Sequence, residues 1–240
     1  DFHTATVMGD DVVVIGSLSY LSRRRPGVTP VVRFDMRSLQ MHPVLAAGEA
    51  PGWISSHRVT LSDDGHTLVV TGGQVVVEGP DGRNLVDNPD DWSLSLSALR
   101  WTRLTERRWQ QWDLRRQDER GNELWRRDMA YRFAREGPRL DLGLFDGLGD
   151  WKEVLEARPL YESRYTPPLA HEVLPESEEF PKVHRRVIEG VVVRYVEESF
   201  AVEIVVEGTL PAETVALLVE DARRKLERIE GVPFVARRLT

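Results

Sequence analysis

The chain has 240 residues, 32 basic and 39 acidic side chains for a formal charge of -7, and is 41% hydrophobic and 30% charged. This is the composition of one large or two small globular domains. The acid excess argues against a surface that tracks nucleic acid or anionic lipid throughout, and no run approaches the ~18 apolar residues of a membrane span. The lack of cysteine excludes disulfides, zinc–thiolate and iron–sulfur centres and thiol catalysis.

From Phe2 the chain reads directly as strand, with no basic and then apolar leader ahead of it, so no signal peptide is expected there. His3-Thr4-Ala5-Thr6-Val7 is followed by Gly9-Asp10-Asp11 and the apolar run Val12-Val13-Val14-Ile15, which ends at Gly16. Fifty-four residues after His3 the pattern returns. His57-Arg58-Val59-Thr60-Leu61 leads through Asp63-Asp64-Gly65 to Leu68-Val69-Val70, which ends at Gly72-Gly73. Asp and Gly between two apolar runs are hairpin chemistry. Each copy then has a second match, Phe34 to Met41 in the first and Leu94 to Trp101 in the second. The offset grows from 54 to 60 along the repeat, as expected when loops vary and strands stay fixed. An all-strand period of about fifty-five residues points to propeller blades.

These residues resemble the kelch repeat. The likeness rests on the strand running into glycine, clearest at Val69-Val70-Thr71-Gly72-Gly73. It rests also on an aromatic followed by Asp at Phe34-Asp35, on Trp101 seven positions after Leu94, and on the joining segment Gly48 to Trp53. Ser17 and Met41 depart from the pattern, standing where it has Gly and Trp. The resemblance covers residues 1–104 and implies one four-stranded sheet per repeat, set radially about an axis. Two such blades do not close a ring, which takes roughly four to eight. The expected ways out are further blades ahead of Asp1, pairing with another copy, or an open sheet whose edge something covers.

From Thr105 to Lys182 the chain reads as a connector. Its first part is rich in arginine and tryptophan and fits either a third hairpin turning at Gly121 or two short helices. Its second part is rich in proline and glycine, with a helical candidate at Asp150 to Ala157. Residues 183–240 read as a small ββαβ module. One strand region spans Val187 to Val193, and a second strand runs from Phe200 to Val206. Pro211 opens a helix with Val215, Leu218, Val219, Ala222, Leu226 and Ile229 on one face; Gly231 stops it before a last strand, Val232 to Leu239. The fold class expected is therefore mainly β with an α+β tail.

No phosphate loop, dinucleotide fingerprint, nucleophile elbow or zinc-protease motif occurs, and the histidines show no ligand spacing. No catalytic residue, metal or cofactor is expected. The kelch-type copper-radical oxidases need a cysteine, so that activity is excluded. The window from Arg100 to Arg135 holds eleven arginines against six acids, a local charge of +5, interleaved with Trp101, Trp109, Trp112 and Trp125. That mixture suits a protein-binding patch, or stacking and phosphate neutralisation on single-stranded nucleic acid. It also suits tryptophans in a core and arginines paired to acids within the chain. Of the 32 basic residues 29 are arginine, the usage of a bacterial genome rich in G and C.

The function expected is a non-catalytic protein–protein interaction module of kelch-like type, with another protein as partner, no membrane, and self-association as an option. Its contact residues are expected among Trp53, His57, Arg58, Asp90, Asp91, Trp92, Arg107, Arg108, Trp109 and Trp112, carried by loops including Ser19 to Thr29 and Glu78 to Asp91. One alternative is a nucleic-acid-associated protein using residues 100–135. A second is an enzyme with a site in the propeller mouth, drawing on His57, Asp90 or Asp91.

Overall fold

Turn chemistry builds the first sheet. The computed structural model describes residues 2–79, 82–126, 158–175 and 181–240. In it, β1 (Thr4–Met8) turns through Gly9 and Asp10 into β2 (Asp11–Ile15), so that Met8 pairs with Asp11. A longer connection with one turn of 3-10 helix (Leu21–Arg23) leads to β3 (Val31–Asp35) and β4 (Gln40–Pro43). At the β3–β4 turn the Asp35 carboxylate accepts the amides of Arg37 and Ser38 at 2.8 and 3.0 Å. This is the local bonding that favours aspartate in turns. The product is a four-stranded antiparallel sheet in the order β1-β2-β3-β4.

The second copy repeats this plan. After the short strands β5 (Ala47–Gly48) and β6 (Ile54–Ser55) come β7 (Arg58–Leu61) and β8 (Thr67–Thr71). A hairpin of β9 (Gln74–Gly79) and β10 (Gly82–Asp87) is inserted before β11 (Trp92–Ser95) and β12 (Arg100–Arg103). Strands β7, β8, β11 and β12 form an antiparallel meander, extended at the β12 edge by β5, while β9 and β10 pair with β6 in a sheet of their own. The segment expected as a polar loop, Glu78 to Asp91, is thus largely strand. The reason is that Val75 to Val77 and Leu85-Val86 supply apolar residues on both arms of a hairpin. The sheets of this unit are open; no closed propeller is formed among the described residues.

The chain divides into two units, Asp1–Arg108 and Trp109–Thr240. In the second, six strands run in the order β14-β15-β16-β17-β13-β18: β13 (Gln110–Arg116), β14 (Glu172–Leu174), β15 (Val183–Ile188), β16 (Val191–Glu197), β17 (Val202–Val206) and β18 (Phe234–Arg238). Helix α1 (Arg158–Glu162) precedes β14, and helix α2 (Ala212–Glu230) lies between β17 and β18. Helix α2 buries Val215, Leu218, Val219, Ala222 and Leu226 against Ile188, Val193, Tyr195, Val202, Ile204 and Val206. Gly231 ends it in the left-handed region, its amide closing on Glu227 O.

Two expectations are corrected here. The strand region around Val187 to Val193 is a hairpin, because Glu189 and Gly190 both take positive φ, 51° and 78°, and reverse the chain. The arginine-rich segment that reads as connector supplies β13, which pairs with β17 on one side and β18 on the other. The helical candidate Asp150 to Ala157 lies outside the described residues. Among the described residues, no helix is long and apolar enough to cross a membrane.

Candidate functional site

The residues expected to bind are mostly held within the fold. Asp90, 2% exposed, accepts from Arg103 Nε at 2.9 Å, from Arg103 Nη2, from Thr105 Oγ1 at 3.1 Å and from the Arg107 amide at 2.7 Å. Asp91 receives a two-pronged contact from Arg107, at 3.1 and 2.7 Å. The Trp92 indole donates to Asn88 Oδ1 at 3.2 Å, and the Arg103 guanidinium lies 5.5 Å from its ring centroid. Asn88 in turn donates to Gly72 O and Asp90 O. These residues tie the β10–β11 connection to the end of β12, which is a structural duty.

His57 and Trp53 fasten the two repeats together. His57 is buried, and its Nε2 meets Thr4 Oγ1 of the first sheet at 2.9 Å. Burial, aided by the charge of His3, lowers its pKa to about 4, so the ring is neutral at pH 7. Trp53 Nε1 donates to Ser17 O at 2.6 Å. Arg58 and Arg108 are exposed. Trp109 and Trp112 belong to the second unit, where Arg194 lies 5.3 Å from the Trp109 ring centroid and Trp112 packs on the core under α2.

The arginine-rich window is divided between the two units, and residues 127–135 lie outside the described ones. Of the rest, Arg103, Arg107, Arg115, Arg116 and Arg126 are each paired with a carboxylate: Asp90, Asp91, Asp113, Asp118 with Glu230, and Glu123. Arg100, Arg108 and Arg120 are exposed, and the side chains of Arg107 and Arg115 are 44% and 48% exposed, so only part of the window is taken up inside the fold. Trp92 and Trp101 are 6% and 3% exposed and offer no stacking surface.

A different surface stands out once register is known. In the first sheet, Ala5, Val14, Val32 and Pro43 form one row across the strands, and Val7, Val12, Phe34 and Met41 form the next. Both rows lie on the same face, and every residue in them is apolar. Val7 is 64% and Met41 69% exposed. The equivalent rows of the second sheet are Val59-Val70-Trp92-Arg103 and Leu61-Leu68-Leu94-Trp101. There Leu68, Val70 and Leu94 are fully buried. The first face is thus the more exposed of the two: Val12, Val14 and Phe34 are half-buried where Leu68, Val70 and Leu94 are buried, and Met41 is exposed where Trp101 is 3% exposed.

The reverse face of the first sheet explains the difference. Its Val13, Ile15 and Val31 are buried. A groove of about 1040 Å³ is lined by Val13, Arg33 and His42 from that reverse face, by Val7 and Pro43 from the apolar face itself, and by Leu61 from the apolar face of the second sheet. The first sheet and the apolar face of the second thus border one groove, while Val12, Val14, Val32 and Phe34 on the first sheet's own apolar face are half-buried. The signal for this lay in Val12-Val13-Val14-Ile15, an uninterrupted apolar strand, which needs cover on both sides.

Compared with known protein families and with curated proteins, the chain matches none.

Proposed function

We propose that the chain is a non-catalytic protein-interaction module built on kelch-like sheets, and that it binds through the apolar face of the first sheet. The observation that carries this reading is the pair of rows Ala5-Val14-Val32-Pro43 and Val7-Val12-Phe34-Met41, more exposed on the first sheet than at the equivalent positions of the second, most of all at Met41, 69% exposed where Trp101 is 3%. Covering a large apolar side chain fully contributes about 1.5–3 kcal/mol, and exposed apolar patches of this kind mark contact surfaces. The occupant is a β-sheet of another chain that presents short, β-branched side chains. The reverse face of this same repeat shows what such a surface looks like, with Thr4, Thr6, Val13, Ile15 and Val31.

The test is photo-crosslinking in the producing cell, with a benzophenone-bearing residue in place of Met41 and, as a control on the opposite kind of face, in place of Arg58. The expected result is a discrete adduct from position 41 whose crosslinked peptide lies on a strand of the partner. A mass of twice the chain identifies a second copy; any other mass identifies a different protein. The absence of an adduct at position 41, or equal crosslinking from position 58, overturns the proposal.

A further inference from the structure

Among the described residues, a buried cation in the second unit has no ion-pair partner. Arg186 lies on β15, on the face that carries the core under α2, and is 6% exposed. Among the described residues its guanidinium has one hydrogen-bond partner, Arg185 O, which accepts from Nη1 at 2.8 Å, while its buried Nε has none. The acids described in this neighbourhood pair with other cations, while the buried Oε2 of Glu197 has no hydrogen-bond partner. Glu197 Oε1 accepts from Arg164 Nε at 2.6 Å and from the Tyr165 hydroxyl at 2.9 Å, and Asp221 pairs with Lys225 at 2.6 Å. A guanidinium is costly to bury without a counter-charge. Its permanent charge rules out relief by deprotonation.

Arg186 lines a cavity of about 220 Å³. Arg164, His184 and Arg186, all buried, form its floor, and the half-buried Tyr161 and Lys182 with the exposed Glu162 form its rim. The floor is rigidly placed. Arg164 donates from Nη1 to Tyr161 O at 2.8 Å, and its guanidinium lies 3.9 Å from the Tyr161 ring centroid. Its Nη2 is 3.3 Å from His184 Nε2, and because arginine only donates, that histidine nitrogen is the acceptor. The Tyr165 ring lies 4.7 Å from the His184 ring and 5.1 Å from that of Tyr195.

We propose that this cavity binds a small oxyanion, a carboxylate or a phosphate, with Arg186 as its principal donor. A guanidinium engages such a group through paired N–H bonds, and the volume admits a small acid rather than a nucleotide. This proposal is independent of the apolar face, which belongs to the other unit.

The test is thermal unfolding of the full chain titrated with sodium acetate or sodium phosphate, against sodium chloride at matched ionic strength. A ligand that binds only the folded state raises the midpoint in a saturable way. The expected result is a saturable rise with at least one of the two anions, lost in Arg186→Gln and retained in Arg58→Gln. A response to acetate identifies the carboxylate class; a response to phosphate alone identifies the phosphoryl class. Arg186→Lys keeps the charge without the fork; a weakened response there supports the proposal even if Arg186→Gln fails to fold. No saturable rise over chloride with either anion overturns it, as does an undiminished rise in Arg186→Gln or Arg186→Lys.

Discussion

Asp90→Ala is the sharpest test of how the first unit is held together. The carboxylate is 2% exposed and accepts from two groups of Arg103, from the Thr105 hydroxyl and from the Arg107 amide. Losing a buried charged acceptor of this kind costs about 3–5 kcal/mol when the cation left behind is also buried. The side chain of Arg103 is 31% exposed and keeps Thr105 O at 3.0 Å, so water and that carbonyl recover part of the loss. The orphaned Arg107 amide and Thr105 hydroxyl add about 1 kcal/mol each. The expected cost is therefore about 3 kcal/mol, or a fall of roughly 12 °C in the midpoint of a unit of about a hundred residues. Asp90→Asn retains an oxygen for Thr105 and the amide and loses the charge on Arg103, so it falls about halfway. Urea unfolding followed by tryptophan fluorescence reads this directly, since Trp92 and Trp101 are both buried in the same sheet. A loss below about 1 kcal/mol for Asp90→Ala would refute the view that this cluster anchors the β10–β11 connection.

His57 carries a pH prediction. Its pKa is lowered from 6.5 to about 4 in the folded chain, so the unfolded state takes up the proton first. The stability from keeping the ring neutral is fully present above pH 6.5 and declines as pH falls from 6.5 towards 4, by up to about 3 kcal/mol. His57→Gln should flatten this part of a urea-midpoint profile; an unchanged slope would contradict the assignment. Gly16→Ala should unfold the first unit far more readily than Gly65→Ala. Both glycines have positive φ, but a Cβ on Gly16 would lie 2.4 Å from Ile54 O, while nothing lies within 4 Å of one on Gly65. Gly65→Ala should cost about 1 kcal/mol and Gly16→Ala well over 2 kcal/mol by thermal melting, and equal losses would be inconsistent with the packing. Arg116→Ala leaves the Glu230 side chain, 1% exposed, without its cation. Urea unfolding should show a loss of about 3 kcal/mol, and a value near zero would mean that the pair is not closed in solution.

Much of the fold was legible where the signal is local. The repeat was found from its turns and strands, and the residue equivalences it implied, Val7 with Leu61 and Met41 with Trp101, are those the two four-stranded sheets show by register. Helix α2 was legible from start to stop, because apolar spacing, Pro211 and Gly231 act within a few residues of one another. The β15–β16 turn is equally local: Glu189-Gly190 stands between two apolar runs that by themselves look like one strand region, and the positive φ of both residues makes it a hairpin.

The candidate sites were far less legible. Asp90, Arg103 and Arg107 are separated by up to 17 residues and become one cluster only when β11 and β12 pair. Arg186 and His184 belong to a strand whose alternation sends them inward with Ile188, a pattern that reads from the sequence as ordinary amphipathic strand. Arg164 meets Glu197 across 33 residues, and nothing near either one announces the other.

Composition, turn chemistry and apolar periodicity by themselves determined a mainly β chain with a repeated first part and a helix near its end. Those properties depend on neighbours a few positions apart, and short-range sterics and hydrogen bonding decide them. The tertiary structure alone decided which strands share a sheet, placing β13 between β17 and β18, and which faces are covered. It alone left the apolar face of the first sheet more exposed than that of the second and, among the described residues, one buried arginine without an ion-pair partner. Pairing and burial depend on contacts between residues far apart in the chain, where many partners of similar chemistry compete and only the packed whole selects among them.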